Sequence, residues 1–381
     1  MEIQNTPANS LLQPKVSVII PARNEEANLE RCLRSLVVQR GVPFEIIVVD
    51  DASTDRTREI AESFTRVKAC PFIAANSDLA DVTVISARPL GDGWTGKSNA
   101  SATGADAARG EWLLFTDADT EHLELSLAHS VAEAEKHNSA MLSYSPEQVL
   151  TGFEQRLVMP LIFADLASVY KPSEVCDPRS EIAAANGQYM LIRRSVYDRL
   201  GGFTSVAGSL LEDVALAKTI KAAGESLRFR LGAGLVRTRM YSNWSEMQTG
   251  WTKNLALLFP NAKRMAVSRL AEFLLLILVP IFAILSAIAR VEMVALVEAV
   301  VATIFWIEFI IRVRRAHFGL GTTIASVFGL PLFSMLLLRS AAAHAHGSVQ
   351  WKGRTYAGSV TSTASPQSNG KEEVRPVSIA K

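Results

Sequence analysis

The sequence is short of cysteine, of net charge and of histidine, and each shortage narrows what it can be. Cys32, Cys70 and Cys176 are an odd number, widely spaced and without a C-x-x-C pair. That pattern argues against a disulfide framework or a cysteine-ligated zinc site and points to a reducing compartment. Lys and Arg total 39 against 38 Asp and Glu, a formal net charge of +1. Nothing global therefore calls for nucleic acid or an acidic partner, and any charge argument has to be local. Of the six histidines, His344 and His346 resemble a metal pair. At i and i+2 they occupy different faces of a helix, with no third ligand nearby, and read as bystanders. Residues 1–15, MEIQNTPANSLLQPK, are polar and contain proline. They have no apolar core of secretory-signal length, so the N-terminal half is expected to stay in the cytoplasm.

What the sequence does have is an α/β alternation. At 381 residues the chain exceeds one ordinary domain and suits a large catalytic unit with an accessory region. Residues 16–20 (VSVII) and 45–49 (EIIVV) are apolar, β-branched runs of the kind buried in parallel sheets. Between them, Leu29, Leu33, Leu36 and Val37 fall on one face and predict a helix over 24–39 with Asn24 as its N-cap. The pattern continues with helix 55–66, strand 82–86, helix 97–108 and strand 111–115. This predicts an α/β fold with a doubly wound sheet, in which ligands bind beyond the carboxyl ends of the strands. Residues 156–170 (RLVMPLIFADLASVY) read as a buried domain helix in preference to an element lying on a bilayer.

From residue 270 the composition changes. Residues 270–289 carry only Glu272 and, at ~20 residues, are long enough to cross a hydrocarbon core. A second span, 293–311, contains Glu298 and Glu308, of which only Glu298 lies far from the span's ends; a third, 320–338, contains Gly329 and Pro331. Lys263, Arg264 and Arg269 before the first span, and Arg312, Arg314 and Arg315 after the second, place both loops and the catalytic half on the cytoplasmic side. Three full crossings would put the tail outside; a third segment bent at Pro331 would bring it back. The expected organisation is an arm (1–14), a catalytic domain (15–245), an interfacial segment (246–269), about three transmembrane helices (270–338) and a polar tail (339–381), disordered from about 358.

The residues with chemistry gather at strand ends. Asp51, directly after the second strand, can hydrogen-bond a ribose or base while Ser53 or Asp55 caps the next helix. Asp117 and Asp119 follow strand 111–115, and their D-x-D spacing lets two carboxylates converge on one hard divalent cation, Mg2+ or Mn2+, that also binds a diphosphate. Gly91–Ser98 fits the G-x-x-x-x-G-K-S of a P-loop nucleotide hydrolase, but Ala87–Leu90 intervene where a P-loop emerges straight from its strand. Lys97, opening a helix, stays well placed for a phosphate. Glu212 and Asp213 precede an amphipathic helix that one can cap while the other enters the cleft. Trp244, Gln248, Trp251 and Lys253 lie at helical spacing, and the two tryptophans read equally as a membrane-interface belt or as site residues.

In order, VSVIIPARNEEANL, EIIVVDDASTD, GWTGKSNA, FTDAD, ANGQYMLIRRSVYDRLGGF, LLED and QTGW resemble glycosyltransferase family 2, over about residues 16–255. The resemblance implies a GT-A fold, a doubly wound mixed sheet that binds a nucleotide sugar. GWTGK, the spans and the closing VQWKGRTY are similar to the membrane-bound branch that glycosylates lipids such as hopanoids, carotenoids or ceramide. It further implies that Pro21, Arg23 and Glu25 line the nucleoside pocket, that Asp51 contacts the base and that Lys97 approaches the diphosphate. Asp117 and Asp119 would hold the sugar diphosphate and its metal, and Asp213 would be the general base. Glu212, Gln248, Trp251 and Lys253 are candidate acceptor or diphosphate contacts. Where the family's membrane synthases read Q-x-x-R-W, this chain reads Gln248-Thr249-Gly250-Trp251, which argues against processive polysaccharide synthesis. The expected activity is an inverting, metal-dependent transfer of one sugar from a UDP-linked donor to a lipid at the cytoplasmic face of the cell membrane.

Overall fold

The computed structural model describes residues 13–65, 81–347 and 349–356. The tail predicted to be disordered from about 358 lies outside the described residues, as does nearly all of the arm. The alternating half comprises β1 (Val16–Ala22), α1 (Leu29–Leu36), β2 (Phe44–Asp50), α2 (Thr57–Thr65), β3 (Asp81–Ser86), α3 (Gly96–Ala107) and β4 (Trp112–Phe115). Successive strand residues face opposite ways. Val16, Val18 and Ile20 of β1 join α1 in one core, while Ile19 joins the alanines of α3 in the other; Ile46 and Val48 against Ile47 and Val49 repeat the split in β2. Both faces are buried, which is why these strands read as continuous apolar runs.

The predicted helix 24–39 is shorter than its periodicity suggested. Asn24 is not the cap: its φ is +52°, and its Oδ1 accepts a hydrogen bond from Thr54 N (2.9 Å). That contact ties the turn after β1 to the turn after β2, and α1 starts only at Leu29.

The chain continues through β5 (Thr120–His122), α4 (Ser126–Lys136), β6 (Met141–Ser145), β7 (Glu147–Gln148), α5 (Phe153–Val169) and α6 (Pro172–Cys176). Then come β8 (Met190–Arg193), α7 (Arg194–Arg199), α8 (Glu212–Ala222), β9 (Leu227–Leu231) and β10 (Val236–Thr238). The main sheet has the order β3-β2-β1-β4-β8-β6-β9, with β8 antiparallel to both neighbours; β5, β10 and β7 form a second sheet. This is the mixed, doubly wound sheet of the GT-A fold. The chain steps outward from β1 to β3 and resumes on the other side of β1 at β4, so the topological switch point lies between the ends of β1 and β4.

The last part consists of α9 (Trp244–Leu258), α10 (Ala262–Ile288), α11 (Glu292–Arg314), α12 (Leu320–Ala325), α13 (Leu330–Ala345) and a hairpin of β11 (Val349–Trp351) and β12 (Arg354–Tyr356). Among the described residues, three segments are long and apolar enough to cross a membrane: Ala262–Ile288, Glu292–Arg314 and Leu320–Ala345. They are not alike. The most apolar window of the third is 50% buried within the protein, against 11% in each of the others. A 3-10 turn, Ser326–Gly329, breaks it where Gly329 meets α5; a Cβ there would lie 2.1 Å from the Leu157 carbonyl oxygen. Ser340 Oγ bridges Thr252 O (2.7 Å) and Ala256 N (2.8 Å), a pair that an α-helix joins directly, and His344 Nε2 meets Lys253 O at 2.8 Å. Two polar side chains thus fasten α13 to α9, and His344 is a buried packing contact.

α5 is the domain helix its sequence suggested, with Val158, Leu161 and Ile162 fully buried. It also anchors the exposed pair α10–α11. Asp165 accepts from Arg269 Nε (3.0 Å) and Arg312 Nη1 (2.8 Å), and both arginines also pair with Glu272. One partly buried network therefore holds the feet of both helices on α5.

Candidate active site

The carboxyl ends of β2, β1 and β4 stand side by side, and a cavity of about 240 Å³ opens over them. β1 delivers Pro21, Arg23 and Glu25; β2 delivers Asp51; the turn after β4 delivers Asp117 and Asp119. Lys97 enters from the start of α3, Glu212 and Asp213 from the start of α8, and Lys253 from α9. The remaining candidates fall elsewhere. Trp251 is buried with its Nε1 donating to Met159 Sδ (3.3 Å), so it is neither a membrane belt nor a donor-cavity residue. Gln248 is not among the residues lining this cavity or the groove beside it.

Thr95 caps α3, its Oγ1 accepting from Ser98 N (3.1 Å), so Gly96 and Lys97 form the open first turn of the helix. Residues 87–95 separate β3 from this turn, so the strand-to-loop continuity of a P-loop is missing. Lys97 Nζ lies 2.7 Å from Asp117 Oδ1 and 3.0 Å from Glu212 Oε1. Burial works against its charge, yet Asp117, Glu212 and Asp213 hold it protonated well above the usual lysine range.

Asp213 accepts two backbone N–H groups, Gly187 N on Oδ2 and Val214 N on Oδ1, both at 2.8 Å. Burial, and then the neighbouring Glu212 carboxylate, push it up to about 6, against the opposing pull of Lys97 and those N–H groups. Asp119 is raised well above the carboxylate range by burial, Asp117 and Glu25, and its Oδ1 is buried without a protein partner. A buried, unpartnered carboxylate oxygen beside a second carboxylate is a donor set that fits a hard divalent cation. Among the described residues no three metal-ligating side chains converge on one point, so such a cation would need ligands from outside the protein as well.

Asn254, Lys352 and Arg354 are among the lining residues that sequence reasoning missed. Asn254, on α9, has a buried Oδ1 without a protein partner. Lys352 and Arg354 reach the cavity from the C-terminal hairpin. The signal was there: Lys-Gly flanked by VQW and RTY has the pattern of a two-residue hairpin turn.

A second cavity, about 180 Å³, adjoins the first. Phe163 and Leu166 of α5, Tyr170 just after it, Phe229 and Leu231 of β9, and Trp251 and Leu258 of α9 wall it, and Arg315 and Ala316 stand just beyond α11. It shares Asn186, Leu211, Asp213, Met240 and Asn254 with the charged cavity.

Residues 17–201 match the family model described as glycosyl transferase family 2. The 4,4'-diaponeurosporenoate glycosyltransferase of Staphylococcus haemolyticus (strain JCSC1435) is 30% identical over 248 residues, spanning 64% of this chain and 61% of that protein. Its namesake in Staphylococcus aureus (strain USA300) is 25% identical over 347 residues, 90% of this chain and 88% of the relative. Among solved structures, S. aureus TarS 1-349 in complex with UDP is 20% identical, with a TM-score of 0.40 and coverage of 65% and 66%. The mannosyltransferase PcManGT from Pyrobaculum calidifontis in complex with GDP-Man and Mn2+ is 18% identical, with a TM-score of 0.48 and coverage of 87% of both chains. At these scores the likeness adds nothing to what the sheet itself shows. The protein is a glycosyltransferase. Residues 17–201 are its glycosyltransferase family 2 domain.

Proposed function

We propose that the protein transfers a single sugar, with inversion, from a UDP-linked donor to a hydroxyl or carboxyl of a lipid at the cytoplasmic face of the membrane. The observation that carries this reading is Asp213, which lines both the charged cavity and the apolar groove. A nucleotide sugar over the strand ends presents its anomeric carbon to the junction; a lipid in the groove presents its oxygen from the other side. Asp213 takes the acceptor's proton as that oxygen attacks the anomeric carbon, and the bond from that carbon to the diphosphate breaks. The two N–H groups on Asp213 fix its aim. At a pKa of about 6 it is ionised at neutral pH yet a stronger base than an ordinary aspartate. Lys97 meets the charge of the departing diphosphate. A divalent cation on Asp117, Asp119 and the donor's phosphates would neutralise more of that charge. The diaponeurosporenoate for which the relatives are named fits an apolar groove.

The exposed pair α10–α11 makes the two crossings, and the groove reaches Arg315 and Ala316 just where α11 returns to the catalytic domain. The docked third segment does not cross, and the C-terminal hairpin ends on the cytoplasmic side. Membranes containing the protein, given labelled UDP-sugars, a divalent ion and a lipid extract, should form labelled lipid. Asp119→Ala and Asp213→Ala should each abolish this, and undiminished transfer by both variants would overturn the proposal.

A further inference from the structure

The sequence motif VQWKGRTY has no part in the reading above, yet its hairpin lies inside the donor cavity. Val349 pairs with Tyr356 and Trp351 with Arg354, and between them Lys352 (φ +45°) and Gly353 (φ +75°) make a two-residue turn with both central residues in the left-handed region. Val349 is buried at the base, and the turn points inward. Arg354 grips the Asp51 carboxylate with both terminal nitrogens, Nη1 to Oδ2 at 2.5 Å and Nη2 to Oδ1 at 3.1 Å. Lys352 pairs with Glu25 and donates to Arg23 O (3.0 Å), while Arg23 Nε donates back to Lys352 O (3.3 Å).

We propose that residues 349–356 form a wall of the donor site, and that Lys352 and Arg354 bind the diphosphate of the nucleotide sugar after releasing Glu25 and Asp51. This rests on the donor reading given above. Seven carboxyl side chains line the cavity, and of its five cationic residues two come from the hairpin. A diphosphate entering among those acids with only Arg23, Lys97 and Lys253 to meet it would be poorly compensated. Position supplies the second argument. The Arg354 guanidinium lies against the first turn of α3: a Cβ on Gly96 would fall 1.6 Å from Nη1 and 2.6 Å from Asp51 Oδ2. A guanidinium and an open helix N-terminus thus meet beside the Asp51 carboxylate, with Lys97 lining the same cavity. A base that donates to Asp51 displaces Arg354, and the freed guanidinium has phosphate oxygens within reach, which suit its forked geometry. Binding moves the two hairpin cations from carboxylates to phosphates, with the base donating to Asp51 in place of the guanidinium.

The test uses the full-length protein in nanodiscs with Mg2+, titrated with UDP, GDP, uridine and guanosine. Wild type should bind one of the two diphosphates. Lys352→Ala combined with Arg354→Ala should weaken that diphosphate by about tenfold or more while changing its nucleoside by less than about twofold, and Arg354→Lys, which keeps the charge but loses the fork, should weaken it by less than the double variant does. Unchanged or tighter diphosphate binding in the double variant overturns the inference and leaves the donor reading standing. Failure of wild type to bind either diphosphate overturns both. If the double variant does not fold, hydrogen exchange on the wild-type protein decides: residues 349–356 should be protected by the diphosphate and not by the nucleoside, and equal protection contradicts the proposal.

Discussion

Seven carboxyl groups and five cations line the donor cavity, whereas the groove on the other side of Asp213 is walled by Phe163, Leu166, Phe229, Trp251 and Leu258. Crowded acids persist in the first because four of the seven are paired with cations: Lys97 with Asp117 and Glu212, Lys352 with Glu25, Arg354 with Asp51. The second has almost no charge to compensate, and it lies next to the feet of the two exposed apolar helices. Two cavities of opposite polarity meeting at one carboxylate suit two substrates of opposite solubility.

The contrast can be broken from either side. On the charged side, Asp119→Ala should cut transfer by roughly 10²- to 10³-fold, since it removes a carboxylate that would hold the cation meeting the diphosphate's charge. Steady-state transfer rates check this, and a loss under about fivefold would remove Asp119 from the donor site. On the apolar side, Ala167→Trp would fill the groove from α5. The acceptor KM should rise by about tenfold or more with the donor KM unchanged, and a donor effect of equal size would mean that the cavities are not separate.

At the junction, acidity is the probe. Asp213 acts as a base only when ionised, and its pKa is pushed up to about 6. Below that pH, kcat/KM for a hydroxyl acceptor should fall by about tenfold per unit; above it the profile should be flat. A carboxylate acceptor has no proton to give, so with such a lipid the acid limb should be absent. The smallest effect belongs to Asn254, whose buried Oδ1 faces the same junction. Asn254→Ala should change the acceptor KM by about fivefold, the scale of one hydrogen bond, and leave UDP binding alone.

How much of this was legible depended on range. β1, β2 and β4, and the acids at their ends, could be read locally, because strand, turn and carboxylate are neighbours in sequence. The antiparallel insertion of β8 between β4 and β6 could not, since apolar strands carry no mark of direction. Asn24 misled because a polar residue before an apolar periodicity signals a cap just as well as it serves a loop-to-loop contact. Apolar length announced three spans and missed that Ser340 and His344 bind one of them to α9. Trp251 and Lys253, two residues apart on one helix, part company: one enters the groove wall and the other the charged cavity. Lys352 and Arg354 stayed hidden because their partners lie 327 and 303 residues away.

The most direct measurement pairs two readouts on one variant: labelled sugar transferred to lipid, and UDP bound, for wild type and Asp213→Asn in the same membranes. Wild type should do both, and Asp213→Asn should bind UDP normally while forming no labelled lipid from a hydroxyl acceptor. Transfer at the wild-type rate by Asp213→Asn, with UDP binding intact, would contradict the claim that the two cavities meet at the catalytic base.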